Sequence, residues 1–115
     1  MSEPLRPGDV WLADLSPVIG SEQSGRRPVV IVSSALHLAL PHAVVFVAPL
    51  TGRNRHLRHQ VPIVSPSSGL TTLPSFSRSE DARAVSYQRL VQRLGSVSAD
   101  ELAAIRRILR AFLDL

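Results

Sequence analysis

The run Gly20-Ser21-Glu22-Gln23-Ser24-Gly25-Arg26-Arg27 sets a carboxylate, a carboxamide and two guanidinium groups within six residues. A carboxylate can accept a proton, and guanidinium donors can hold the oxygens of a phosphate. Two glycines make sharp backbone bends easy, and a polar loop between buried strands is a common place for a site. The same residues can also form a solvated turn with an incidental Glu22–Arg26 pair, worth at most about 1 kcal/mol. Arg27 directly precedes the apolar run Pro28-Val29-Val30-Ile31-Val32. A guanidinium at a sheet margin is costly to desolvate without a partner. Asp14, Glu22 or a bound phosphate could each supply one.

A second cluster is Thr51-Gly52-Arg53-Asn54-Arg55-His56-Leu57-Arg58-His59. It holds three arginines and two histidines in nine residues, with no acid. Such a run is a solvated loop in many proteins, and it is also a surface that attracts a polyanion by releasing counterions. Thr51 opens it, just after Pro49-Leu50 at the end of a predicted strand. His56 and His59 have the spacing of two metal ligands, but no third ligand lies at a recognisable distance, so no metal site is expected. The glycines form neither a phosphate-binding loop nor a dinucleotide fingerprint, and no nucleophile elbow is present. No cofactor is implied.

These loops need a scaffold. Asp9-Val10-Trp11-Leu12-Ala13-Asp14 has strand composition and turn formers on both sides. Pro28–Val32 is apolar at every position and reads as a strand buried on both faces, with proline tolerated at its start. Val44-Val45-Phe46-Val47-Ala48 is a third strand, ended by Pro49. Gln60-Val61-Pro62-Ile63-Val64 alternates around a proline and reads as an edge strand. Ser34 to His42 fits a short helix or a long connection. Ser65 to Pro74 reads as a loop, and short strands are expected around Phe76 and Val85. Ser98-Ala99-Asp100-Glu101 forms a capping box. Leu102, Ile105, Leu109 and Phe112, widened by Ile108 and Leu113, then make one helical stripe, with Arg106, Arg107 and Arg110 away from it. The predicted fold is mainly β with α: a small barrel or curled antiparallel sheet with a C-terminal helix.

The chain has 115 residues, 44% of them hydrophobic, which suits a single domain over residues 1–115. All basic residues are arginine, and the formal net charge of +4 permits a nucleic-acid partner without requiring one. A GC-rich coding bias accounts for the missing lysine, but not for where the arginines lie. No apolar run is long enough to span a membrane. The polar start, Met1-Ser2-Glu3-Pro4, does not read as a signal peptide. Without cysteine there is no disulfide framework or thiol nucleophile. The expected compartment is the cytoplasm.

Taken together, Gly8-Asp9-Val10-Trp11-Leu12-Ala13-Asp14-Leu15-Ser16-Pro17 and the run from Gly20 through Arg27-Pro28 to Val32 resemble the MazF/PemK family of toxin endoribonucleases. Weaker agreement continues at Pro49-Leu50-Thr51, Gly69-Leu70, Glu80 to Val85 and Gln88-Arg89-Leu90. The resemblance implies an SH3-like barrel with a C-terminal helix and a homodimer. It also implies metal-independent, sequence-selective cleavage of single-stranded RNA, and a cognate MazE-like antitoxin whose tail occupies the RNA site. Carried over by residue, Arg27 and Thr51 match the catalytic pair, and Glu22 matches the acidic loop residue. Ser21, Gln23, Arg26, Arg53, Arg55, Arg58 and Arg83 are the expected RNA contacts. At Arg83-Ala84-Val85-Ser86 the chain departs from the Arg-Thr-x-Asp of many members. The chemistry expected is attack by the ribose 2′-hydroxyl on the adjacent phosphorus. Two competing readings are a CcdB-like gyrase inhibitor of the same fold and a non-catalytic module that binds nucleic acid or antitoxin.

Overall fold

A computed structural model of the chain describes residues 4–16, 25–41 and 43–115. Its strands are β1 (Asp9–Asp14), β2 (Arg26–Ile31), β3 (Val44–Thr51), β4 (Pro62–Ile63), β5 (Ser75–Ser77), β6 (Arg83–Ser86) and β7 (Leu90–Ser96). A one-turn helix α1 (Ala35–Leu38) joins β2 to β3, and α2 (Ala99–Leu113) closes the chain. The strands pair antiparallel in the order β4-β5-β3-β2-β1-β7, with β6 also lying against β3. This is the mainly β architecture with a C-terminal helix that the sequence predicts, a curled half-barrel.

Strand alternation divides the core into two clusters. Trp11, Ala13, Leu15, Val29, Ile31, Val45, Val47, Val85 and Leu90 pack on one face of the sheet. Val10, Val30, Ala48, Leu50 and Ile63 pack on the other, where Leu102, Ile105, Ile108 and Leu109 of α2 cover them. Val29, Val30 and Ile31 are all fully buried, as the unbroken apolar run requires.

Four expectations are revised. β2 begins at Arg26 rather than Pro28, because Arg26 and Arg27 pair with Asp14 and Ala13 of β1. β3 does not stop at Pro49 but continues to Thr51. Its outer neighbour changes there: β6 flanks Val44 to Val47, and β5 flanks Leu50 and Thr51. Pro49 sits at the switch, where its carbonyl accepts from the Arg78 amide at 2.8 Å and a missing N–H does no harm. The edge strand shrinks to Pro62–Ile63, because the amides of Val64 and Ser65 turn instead to the Glu101 carboxylate, at 2.7 and 3.3 Å. Finally, β7 is a strand that the sequence pattern does not predict. Two register shifts against β1 break its alternation, so no clean period-two signal survives.

The capping box is present. Ser98 Oγ accepts from the Glu101 amide at 3.1 Å, and Glu101 Oε1 accepts from the Ser98 amide at 2.9 Å. The stripe on α2 packs through Leu109 only, leaving Phe112 and Leu113 51% and 66% exposed. Arg106 is not a solvated cation of the polar face. It donates through Nε and Nη2 to Val32 O, at 3.3 and 3.1 Å, and through Nη2 to Ser33 O at 3.1 Å, tying α2 to the end of β2.

Candidate functional site

β2 and β3 pair with Val29 opposite Pro49, Val30 opposite Ala48 and Ile31 opposite Val47. The pairing ends there, and Thr51 pairs instead with Phe76 of β5; continued two residues further, the β2–β3 register would bring Arg27 to the level of Thr51. Alternation turns both toward the face of Val29 and Val47, the face that α2 does not cover. Arg27 is exposed, so it does not bear the desolvation cost expected of a guanidinium at a sheet margin. Its cross-strand neighbour on β1 is Ala13, and it is Arg26 that stands opposite Asp14. The Asp14 carboxylate is used locally, accepting the Ser16 amide at 3.1 Å.

Thr51 is half-buried and its Oγ1 accepts from the Arg53 amide at 3.2 Å. A hydroxyl that accepts one bond keeps its own hydrogen to donate. The backbone bond therefore fixes the side chain while leaving a donor for a ligand oxygen. Arg53, Arg55 and Arg58 follow directly, all exposed and making no ion pair among the described residues.

Arg83 stands opposite Val47, half-buried, four residues of β3 from Thr51. That is about 13 Å along the strand. It lines a cavity of about 460 Å³ with Phe46, Ala84 and Phe112. Ser21, Glu22 and Gln23 lie outside the described residues. His56 and His59 do not converge: His59 Nε2 faces Glu80 Oε1 at 3.3 Å, and among the described residues no three His, Asp or Glu side chains gather. Within the described residues, then, the fold brings Arg26, Arg27, Thr51 and Arg53 to one end of the β2–β3 pair, with Arg83 on the neighbouring strand β6, opposite Val47 of β3.

One contributor has no role assigned from the sequence, where it stands only within the weaker family agreement at Gln88-Arg89-Leu90. Arg89, in the turn before β7, donates through Nη1 to Asp14 O at 3.1 Å and also to Ser16 O. Across the stem, the Leu15 amide donates to Gly25 O at 2.9 Å and the Gly25 amide to Ser16 Oγ at 3.0 Å. Arg89 thus holds the carbonyls at the foot of the segment that leads into Arg26 and Arg27. A lone arginine between Gln88 and Leu90 has no local pattern that reveals this.

A model of the PemK-like, MazF-like toxins of type II toxin–antitoxin systems matches residues 6–113. The chain is 34% identical to "Endoribonuclease MazF9" of Mycobacterium tuberculosis, over 96% of this chain and 98% of the relative. Its fold superposes on MazF from Deinococcus radiodurans with a TM-score of 0.85 at 22% identity, covering 99% of this chain and 100% of that one. A MazE-MazF complex from the same organism matches with a TM-score of 0.79 at 23% identity, over 99% of each chain. A small curled antiparallel sheet with a C-terminal helix is the fold shared with these solved MazF structures. The chain belongs to the PemK-like, MazF-like toxin family of type II toxin–antitoxin systems. Among the described residues no helix is long and apolar enough to cross a membrane.

Proposed function

We propose that this toxin is an endoribonuclease that cuts single-stranded RNA, sequence-selectively and without a metal ion, by attack of a ribose 2′-hydroxyl on the adjacent phosphorus. The observation that carries the reading is the antiparallel β2–β3 pairing, which puts Arg27, at the start of β2, and Thr51, at the end of β3, at the same end of the pair. The 34% identity to an endoribonuclease over nearly all of both chains supports the reaction class.

In this reaction the 2′-oxygen bonds to phosphorus and its proton leaves to a base, while the bond from phosphorus to the 5′-oxygen breaks and that oxygen takes a proton from solvent. The products are a 2′,3′-cyclic phosphate and a 5′-hydroxyl end. Charge builds on the equatorial phosphate oxygens, where Arg27 offers two donors in fixed geometry. A preorganised donor of this kind contributes about 3–4 kcal/mol, or 10²–10³ in rate. Thr51 donates its hydroxyl hydrogen to a phosphate oxygen. Arg27 does not serve as the base, because a guanidinium does not deprotonate. We assign that role to the carboxylate of Glu22. Ser21, Gln23, Arg26, Arg53, Arg55, Arg58 and Arg83 bind the RNA.

The toxin acts in the cytoplasm as one domain over residues 1–115, paired as a homodimer and neutralised by a MazE-like antitoxin. Support for the pairing comes from an apolar face on which Phe46, Phe112 and Leu113 are 47%, 51% and 66% exposed around the cavity that Arg83 lines. A contiguous apolar face marks a contact surface.

The test is the chemistry of the ends. An RNA cut by this protein should carry a 2′,3′-cyclic phosphate, and a strand with one 2′-deoxy sugar at the cut position should resist cleavage there. Cleavage of the deoxy strand at the same bond would refute 2′-hydroxyl attack.

A further inference from the structure

The basic run 53–59 has the composition of a self-repelling, solvated loop, yet its backbone is held from inside by one side chain. Gln60 is only 9% exposed. Its Oε1 accepts from the Arg55 amide at 2.9 Å, and its Nε2 donates to Arg53 O at 3.3 Å. Its own amide closes the turn on Leu57 O at 3.1 Å.

Further supports act along the loop. Asn54 Oδ1 accepts from the His56 amide at 2.8 Å. His56 adopts a left-handed φ of 57°, a conformation that costs a non-glycine residue about 1–2 kcal/mol. Strain of this sort persists only where the surroundings over-determine it. At the near end, Thr51 Oγ1 holds the Arg53 amide. At the far end, the His59 ring lies 5.5 Å from the Phe112 ring and 3.3 Å from the Glu80 carboxylate. The backbone of the loop is thus held at several points, while the three guanidinium groups remain in solvent without an ion pair among the described residues. A loop ordered before its ligand arrives avoids the entropy of ordering during binding.

We propose that residues 52–59 form a preformed phosphate-binding subsite for the RNA strand flanking the Arg27–Thr51 site, and that Gln60 is its positioning residue. The inference rests on the reading of this toxin as an RNA-binding enzyme. The strand passes Thr51 and continues over Arg53, Arg55 and Arg58, which meet successive phosphates.

The test is a double-mutant cycle on binding, measured by fluorescence anisotropy of a labelled single-stranded RNA. The parent is Arg27→Ala, so that no RNA is consumed and binding is read whether or not the wild type cuts. Gln60→Leu is compared in two backgrounds: the natural loop, and a loop in which Arg53, Arg55 and Arg58 are all replaced by Gln. If Gln60 acts through the arginines, Gln60→Leu weakens binding about tenfold in the natural loop and has almost no effect in the neutral one, the non-additivity of groups acting together. The salt slope falls in parallel, by about 0.7 for each phosphate that the loop no longer neutralises. An equal drop in affinity in both backgrounds, or no drop in either, would overturn the proposal. Asn54→Ala, at an exposed position, repeats the cycle if Gln60→Leu unfolds below assay temperature. Absence of RNA cleavage by the wild type would refute the enzymatic reading alone and leave the cycle intact.

Discussion

Arg89 reaches back across 75 positions of the chain to donate to the Asp14 carbonyl at 3.1 Å. The same nitrogen holds Ser16 O, so one guanidinium fixes the foot of the segment that ends in Arg27. A misplacement of about 1 Å in a catalytic group can cost about 10²-fold in rate. Arg89→Ala should therefore slow single-turnover cleavage by roughly 10–100-fold, mainly in kcat. Arg89→Lys, which keeps one donor, should recover part of the rate. Wild-type rates in Arg89→Ala would show that the stem is held without it.

Glu101 joins three segments. Its carboxylate accepts from the Ser98, Val64 and Ser65 amides and from the Ser65 hydroxyl. Burial by itself raises its pKa, but the Ser65 hydroxyl and the three amides outweigh burial and bring it below the ordinary 4.5. The unfolded chain then protonates first as pH falls. The stabilisation is complete above the ordinary carboxylate value and is lost as pH drops through the lower folded value. Glu101→Ala should cost about 2–4 kcal/mol at neutral pH. It should also flatten the acid limb of a stability-versus-pH curve from urea melts. An unchanged acid limb would assign that limb to other carboxylates.

β7 and the turn at Pro66–Ser68 meet backbone to backbone at two glycines. A Cβ on Gly95 would lie 2.1 Å from Ser67 O, and one on Gly69 would lie 2.0 Å from Leu94 O. The obstacles are main-chain atoms that no rotamer change can move. Gly95→Ala should therefore destabilise the protein by about 2–3 kcal/mol, read as a lower thermal midpoint. A midpoint equal to the wild type would mean that the two segments separate at little cost.

Neutralising Arg53, Arg55 and Arg58 together should weaken RNA binding and flatten its dependence on salt. The log–log slope should fall by about 0.7 for each phosphate left without its arginine. Titrations at several salt concentrations give the slope directly. An unchanged slope would return the three arginines to the role of a solvated loop.

The parts of this fold that rest on uninterrupted local patterns are legible in the sequence. Asp9–Asp14, the apolar run of β2 and the Ser98–Glu101 capping box each carry their signal within a few residues. β7 is not legible, because its bulges break the alternation and its partner β1 lies far away in the chain. The extension of β3 through Pro49 depends on a change of neighbouring strand, which no local preference encodes. The same division holds at the site. Arg27 and Thr51 stand out by family resemblance, but their placement at one end of the β2–β3 pair depends on how those two strands align. Arg89 and Gln60 act on distant or backbone groups, and neither residue type advertises such a role. Arg106 reads as a surface cation because helical spacing alone does not show the two carbonyls it meets.

The most direct test of the account uses purified protein, end-labelled single-stranded RNA and excess EDTA, with the wild type beside Arg27→Ala. The wild type should make discrete cuts. Arg27→Ala should make none while keeping the wild type's oligomeric state and melting temperature. Cleavage by Arg27→Ala at the wild-type rate would contradict the mechanism at its centre.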